Sequence, residues 1–385
     1  MIFKRAFFFA SLTCTLLKMR ILQLSSAKTY GGGERHLVDL SRSLQERGHE
    51  IFVALRPTNE WQNRLGFVPP ENFLHVSIRN SFGMFSAKRI GRFLIKNKID
   101  IIHAHVARDY LAASIAGRIA QNTKIVLTRH VLFQMKPFHR FALRNVDAAI
   151  AVSEGVRDQL LNIFPANKIT VIPNGLAMHD GAERDLRGRE FRELHHIPVD
   201  APLIGTVGEL IPLKGQRDFV LAAHEIVKVL PDCRFVVAGK DNTIDQRFRR
   251  ELKRLVKVFD ISENFLWLDW VEDLTPLLSS LDVFVSPSHS ESFGLAILEA
   301  MANHTAVIAT ATKGAEDLLS DGSLIVPVHD PLAMANSIAA LVSDRTRCRE
   351  IGLELGRKAR ERYSLDRMVS ATESLYERVS SSASH

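Results

Sequence analysis

Short apolar runs rich in Ile, Val and Ala alternate along the chain with longer amphipathic stretches. In the first half these runs fall at residues 20–24, 51–55, 101–104, 125–128, 148–152 and 169–172. Each has the length of a strand. Runs such as AAIAV and KIVLT lack polar alternation, as expected of strands covered on both faces. Between the runs the period changes: over residues 35–47, Leu37, Leu40 and Leu44 share one helical face. A second series begins at 203–207 and continues at 235–238, 265–268, 283–285, 306–309 and 324–326, and residues 332–376 read as helical. Strand alternating with helix predicts an α/β fold with parallel sheets.

At 385 residues the chain exceeds what one core usually organises, so two domains are expected. The turn signal Pro173-Asn174-Gly175 and the charged stretch after it place the division. The expected order is an N-terminal extension at 1–18, a first domain at 19–180, a hinge region at 181–200, a second domain at 201–365 and a C-terminal helix or tail at 366–385. Two such sheets leave a cleft between them at the carboxyl ends of their strands, where ligands bind in folds of this class.

Composition changes the picture in two places. A hydrophobic content of 46% with 24% charged residues excludes bulk disorder. Cys14, Cys233 and Cys348 lie far apart with no CxxC pair. Neither a disulfide framework nor a zinc motif is therefore expected, and the pattern suits a reducing cytoplasm. Charge is uneven. Residues 1–180 hold 25 Lys and Arg against 12 Asp and Glu, a net of +13; with +7 overall, the rest of the chain carries −6. A basic first half favours an anionic partner, or is a scattered solvated surface. No nucleic-acid motif accompanies the charge, so no nucleic-acid partner is expected. At the start, Lys4 and Arg5 precede an apolar run over residues 6–17, shorter than the ~20 residues of a membrane span and without a clear small-x-small cleavage site. Met19 stands directly before RILQLSS, and translation starting there is expected in preference to a membrane anchor.

Four stretches carry candidate chemistry. Gly31-Gly32-Gly33-Glu34-Arg35 follows a strand and opens a helix. Its glycines let the backbone approach a ligand, and the helix start behind them favours negative charge. His36 stands where a dinucleotide fingerprint needs its third glycine, and no Gly-Lys-Ser/Thr follows, so a simple tight turn reads equally well. In the second series, the loop from Gly208 to Gly215 carries Lys214, either a point charge in reach of a diphosphate or a plain surface lysine. Residues 286–299, SPSHSESFGLAILE, pass from a strand through a polar loop into a helix expected to begin near Phe293. The amides of Phe293, Gly294 and Leu295 would then be first-turn donors for a phosphate. Glu291 could meet a sugar, and Glu299, about two turns into the helix, could accept two vicinal ribose hydroxyls. A capping carboxylate and an ordinary helix face are the alternatives. Finally, His103 and His105 close one strand and His130 another. With no third ligand evident, the alternate pair is not expected to bind metal. His103 reads as structural and His130 as a site residue.

In combination these segments resemble the retaining glycosyltransferases of family 4 (glycosyl transferases group 1). That family has the GT-B fold, two Rossmann-like parallel-sheet domains facing each other across a cleft. The resemblance runs from about residue 19 to 363. It rests on GGGERHLVDLSRSLQERGHE, DIIHAH, LTRH, AVSEGVRDQL followed by VIPNG, VGELIPLKG and, most specifically, the E-x7-E element ESFGLAILE. It implies transfer of a sugar from a nucleotide diphosphate sugar to an acceptor hydroxyl with retention, independent of metal and without a further cofactor. It also implies that Glu299 binds the ribose, Glu291 contacts donor-sugar hydroxyls, and Phe293, Gly294 and Leu295 present backbone to the sugar and diphosphate. Lys214 would meet the leaving diphosphate, His130 would lie near the reacting sugar, and Gly32 and Gly33 would lie close to donor and acceptor. His130, Lys214 and Glu291 form the implied catalytic set. One position departs from the pattern: the family usually has arginine where this chain has Glu209. Either Arg217, Lys313 or Arg129 compensates, or the phosphate grip is weaker.

The acceptor implied is a glycan or lipid-linked molecule of lipopolysaccharide, capsule or other envelope synthesis. Residues 88–96 and 133–144 mix cations with aromatics, which suits an anionic membrane surface or a helix packing its Phe and Leu inward. A cytoplasmic enzyme, peripheral on the inner face of the membrane, is the expectation. A sugar-nucleotide epimerase and a non-catalytic nucleotide- or sugar-binding relative remain open, the second supported by Glu209.

Overall fold

The computed structural model describes residues 18–78, 83–178, 181–319 and 321–381. The first sheet holds β1 (Arg20–Ser25), β2 (Glu50–Leu55), β3 (Phe73–His75), β4 (Ile101–Ala104), β5 (Lys124–Arg129), β6 (Ala148–Ala151) and β7 (Ile169–Val171). Between these strands lie α1 (Gly32–Glu46), α2 (Met84–Lys96), α3 (Tyr110–Ala120), α4 (His139–Ala142) and α5 (Glu154–Leu160). After α6 (Gly181–Leu194) comes a second sheet of β8 (Leu203–Val207), β9 (Arg234–Ala238), β10 (Phe265–Leu268), β11 (Val283–Ser286), β12 (Ala306–Thr310) and β13 (Ile325–Val326). Its helices are α7 (Gln216–Val229), α8 (Arg247–Val258), α9 (Thr275–Ser280), α10 (Leu295–Ala302), α11 (Lys313–Leu318), α12 (Pro331–Ser343) and α13 (Arg345–Arg362), and α14 (Leu365–Ser381) ends the described chain.

All the strand pairs are parallel, in the orders β3-β2-β1-β4-β5-β6-β7 and β10-β9-β8-β11-β12-β13. Each expected apolar run is a strand. Only β3 went unforeseen, because FLH is too short to show a pattern. The strands are covered on both faces. Leu22, Leu24 and Ile102 pack with residues of α2 and α3, whereas Ile21, Ile51 and Val53 pack with residues of α1 and α14. Successive strand residues point to opposite faces, so one strand feeds two cores.

One expected boundary changes. The stretch at 181–200, expected as a hinge, is largely α6, which packs on α9 of the second domain. Arg192 holds it there, donating to the Ser280 carbonyl at 2.9 Å and to Asp282 at 2.8 Å. The chain instead crosses between domains where Leu176 bridges Ser364: Leu176 N–H donates to the Tyr363 carbonyl, and Leu365 N–H to that of Leu176. Residues 366–381, expected as a C-terminal helix or tail, lie in α14. α14 carries Met368, Val369, Thr372, Leu375, Tyr376 and Val379 on one buried face and returns to cover α1. Fully burying Leu375 and Tyr376 contributes about 1.5–3 kcal/mol each. Glu373 fixes the register, accepting from Arg47 at 2.6 Å and lying 2.8 Å from His49 Nε2. Residues 1–17 and 382–385 lie outside the described residues. Met19 is buried, and its N–H donates to His49 Nδ1 at 3.2 Å.

Candidate active site

Strand order reverses between β1 and β4 in the first sheet and between β8 and β11 in the second. Crevices open at such points beyond the carboxyl ends of the strands, and here the two crevices meet. Gly32 opens α1 so close to α10 that a Cβ would lie 2.5 Å from Leu295 Cδ1. Only glycine permits that approach without displacing Leu295. The neighbouring Gly33 faces His130, with Cδ2 of the ring 3.7 Å from where a Cβ would stand. Ser292 Oγ donates to the His130 carbonyl at 2.6 Å, and Ser153 Oγ to the Ser292 carbonyl at 2.6 Å. Gly32, Gly33 and His130 of one domain thus touch the 292–295 segment of the other.

On the second domain's side, α10 begins at Leu295 rather than near Phe293. Gly294 has φ +95°, a left-handed conformation that favours glycine and breaks the helical run before it. The Phe293 side chain is buried, its ring edge-on to Tyr363 at 6.1 Å, so the residue anchors the loop while its backbone stays beside the cleft. The first intrahelical bond runs from Leu298 N–H to the Gly294 carbonyl. The amides of Leu295 and the residues after it are therefore the open donors of the first turn. Glu299 then sits just over one turn into the helix, not two. It is buried and ion-paired with Arg35 of α1. Burial pushes the Glu299 carboxyl upward from its ordinary value, and Arg35 pulls against that rise. Lys214 and Glu291 form a second ion pair at 2.6 Å. Both candidate carboxylates therefore already face a cation.

Arg35 is the residue that sequence reasoning left without a role. It stands in the glycine-led motif, but its partner lies 264 residues away on another domain. The one available signal was a cation in the first turn of a helix, where the macrodipole disfavours it. At Glu209, Oε1 accepts from Asn242 at 2.8 Å. Each of the three expected compensating cations has another partner. Arg217 lies 3.8 Å from Glu251, Lys313 pairs with Glu316 at 3.1 Å, and Arg129 donates to the Phe133 carbonyl.

The first domain's side is built from histidines. His103 is satisfied at both nitrogens, by the Tyr376 hydroxyl and Thr128 Oγ1, each at 2.6 Å. His105 packs on it at 4.1 Å between ring centroids and sets Nε2 2.8 Å from Gln23 Oε1. His36 and His130 complete the group, 4.9 Å apart. Burial depresses all four, His36 to about 4, so the imidazoles are neutral at pH 7. Asp109 lies in the same layer. Its Oδ2 accepts from Ser26 N–H at 2.7 Å, and burial pushes the carboxyl up to about 7.

Residues 30–179 match the family described as Glycosyltransferase Family 4, and residues 188–362 the family described as Glycosyl transferases group 1. The chain belongs to glycosyltransferase family 4. Among curated relatives, an alpha-maltose-1-phosphate synthase of Mycolicibacterium smegmatis is 29% identical, over 73% of this chain and 79% of its own. The lipopolysaccharide core biosynthesis glycosyltransferase LpsE of Rhizobium meliloti is 27% identical, over 86% and 93%. The crystal structure of Anabaena Alr3699/HepE in complex with UDP superposes with a TM-score of 0.82 at 19% identity, covering 94% of this chain and all of that one. That likeness is one of fold: this glycosyltransferase has the GT-B architecture of two Rossmann-like domains facing across a cleft.

Proposed function

We propose that this glycosyltransferase moves a hexosyl group from a nucleoside diphosphate sugar to an acceptor hydroxyl, with retention and without a metal ion in the chemical step. One observation carries the reading. Lys214, Glu291, the Gly294–Leu295 turn and Glu299 converge on one side of the cleft, against Gly32, Gly33 and His130 on the other.

Breaking the anomeric bond leaves negative charge on the diphosphate and oxocarbenium character on the sugar. Lys214 and the open amides at the start of α10 stabilise the leaving group electrostatically. The ribose hydroxyls take the place of Arg35 on Glu299, and Glu291 accepts from hydroxyls of the donor sugar. His130 offers the unpaired Nε2 of a neutral ring to the reacting sugar. The acceptor attacks from the face the diphosphate leaves, and the diphosphate takes its proton.

The UDP bound by HepE makes a uridine diphosphate sugar the first donor to test, and LpsE favours an envelope glycan acceptor. Phe133 is 74% exposed, and Phe138 and Phe141 are exposed beside Lys136, Arg140 and Arg144. On α2, Phe85 is 92% exposed while Ile90 and Leu94 pack inward. Exposed aromatics among cations suit a peripheral enzyme on the anionic cytoplasmic face of a membrane. No helix among the described residues is long and apolar enough to cross one.

The test is a thermal-shift screen of nucleoside diphosphates and their sugars on wild type and Glu299→Ala, followed by turnover with and without acceptor. Stabilisation by one nucleotide class, reduced in the variant, identifies the donor. Acceptor-dependent release of the nucleoside diphosphate marks transfer. Donor isomerisation without acceptor would mark an epimerase instead.

A further inference from the structure

We propose that His36, His105 and His130 form a binding site for a borderline transition-metal ion such as Zn2+, on the first domain's side of the cleft. The site goes beyond the transfer reaction. The three residues come from different places: His36 from α1, His105 from just after β4, and His130 from just after β5. The fold brings together a set that no spacing along the chain displays.

The separation of the rings fits an ion. Centroids lie 4.9 Å apart for His36 and His130, 5.6 Å for His36 and His105, and 5.9 Å for His105 and His130. Three imidazoles bound tetrahedrally at about 2.0–2.1 Å hold their centroids roughly 5.3 Å apart. One ring nitrogen from each residue already lies within 4.8 Å of the other two. Small rotations about the side-chain bonds bring them to the roughly 3.4 Å that tetrahedral ligands need.

The nitrogens are also available. Nδ1 of His105 and Nε2 of His130 are buried without a hydrogen-bond partner, and His36, with the Asn174 side chain against its ring, keeps one nitrogen for an ion. Gln23 Oε1 accepts from His105 Nε2–H, which leaves the Nδ1 lone pair for an ion. An outer partner of this kind commonly orients a metal-binding histidine. His103, engaged at both nitrogens, backs His105 and is no ligand. Arg129 beside His130 opposes a further cation. An all-imidazole set selects Zn2+, Co2+, Ni2+ or Cu2+ over the oxygen-seeking Mg2+ and Ca2+. Of the carboxylates along the cleft, Glu291 and Glu299 are paired with Lys214 and Arg35, whereas Asp109, in the histidine layer, keeps an unpartnered Oδ1. An ion here would occupy His130 Nε2, the atom offered to the donor sugar under the proposed reaction, so metal and donor would compete. The binding measurements below do not depend on that role.

Chelator-stripped full-length protein is dialysed against Zn2+ with excess Mg2+ present, and Co2+ is added separately to read its visible spectrum. One equivalent of Zn2+ and an intense tetrahedral Co2+ spectrum are expected. His36→Gln with His105→Gln should weaken binding by at least about tenfold. His289→Ala should leave it unchanged, since that residue belongs to a half-exposed group with Asp218 and His329. X-ray absorption of Zn-loaded wild type should show imidazole nitrogens at about 2.0 Å, and it needs no variant to fold. Substoichiometric uptake, an oxygen-dominated shell, or loss of binding in His289→Ala instead of the double variant would overturn the site.

Discussion

The two sides of the cleft solve opposite electrostatic problems. The first domain presents four buried imidazoles, all neutral, and a carboxyl whose pKa is raised to about 7. The second presents charges in pairs, Lys214 with Glu291 and Arg35, reaching from across the cleft, with Glu299. A diphosphate and a ribose need charge and strong acceptors. An acceptor hydroxyl or a sugar face needs hydrogen-bonding groups that add no net charge. The lesson is that burial, rather than residue identity alone, decides which side can handle an anion. Neutralising the charged side should stop catalysis, while charging the neutral side should unfold it.

The sharpest break is Lys214→Ala. Removing a cation that stabilises a leaving group is expected to lower kcat by about 10²–10³-fold, comparable to losing one donor of an oxyanion site. Steady-state kinetics with saturating donor checks this. A raised donor KM with kcat unchanged would assign Lys214 to ground-state binding instead.

The neutral side is probed by acid. His36 has a pKa of about 4 in the folded chain against about 6.5 unfolded. As pH falls through that window the unfolded chain takes up a proton that the folded one refuses, so stability declines by up to about 1.4 kcal/mol per pH unit. His103, His105 and His130 act in the same direction. Asp109 acts oppositely: its raised pKa favours folding at low pH, and that contribution is lost as pH rises from about 3.8 to 7. Glu34, Asp39 and Glu299, whose carboxyls burial also raises, act as Asp109 does, so the His36 contribution is read as a difference. On lowering the pH from 7 to 5, the urea midpoint should fall further, or rise less, in wild type than in His36→Gln. Equal slopes for the two proteins would mean that His36 is not the buried neutral group described.

Glu299→Ala follows in size. Loss of a carboxylate bonded to two ribose hydroxyls should raise donor KM about 10–100-fold, as expected for hydrogen bonds to a charged group worth about 1.5–3 kcal/mol, with kcat nearly unchanged. The variant also frees Arg35. An unchanged KM would remove Glu299 from the donor site and leave its bond to Arg35 as a latch between domains.

The strands were legible because buried parallel strands write themselves as apolar runs, and so was the loop-to-helix segment holding Glu291 and Glu299. What escaped depended on distance. Arg35 meets Glu299 only after the domains face each other, and His36 joins His105 and His130 only after β4 and β5 pair with register Ile102 to Ile125. The return of α14 was hidden for a related reason. Its apolar stripe marks a helix that must be covered, but nothing local says by which domain. The start of α10 was misplaced by two residues because Gly294 reads as a flexible position, and only its left-handed φ makes it the stop before the helix.

The smallest expected effect concerns Glu209, where the charged side departs from its own logic. The carboxylate sits in the loop with Lys214 and is held by Asn242, while Arg217, Lys313 and Arg129 are engaged elsewhere. A cation that does reach across the cleft, Arg35, is committed to Glu299, the carboxylate that the proposed reaction assigns to the ribose. Glu209→Arg replaces a repulsive group with an attractive one near the diphosphate. At an exposed, solvent-screened position that is worth at most about 1 kcal/mol, so donor affinity should rise a few-fold and the salt dependence of binding should steepen. Donor titrations at two ionic strengths read both effects. A gain at low salt alone places Glu209 at the rim of the site, and no gain at either would mean that Arg35, once released, already supplies the second cation.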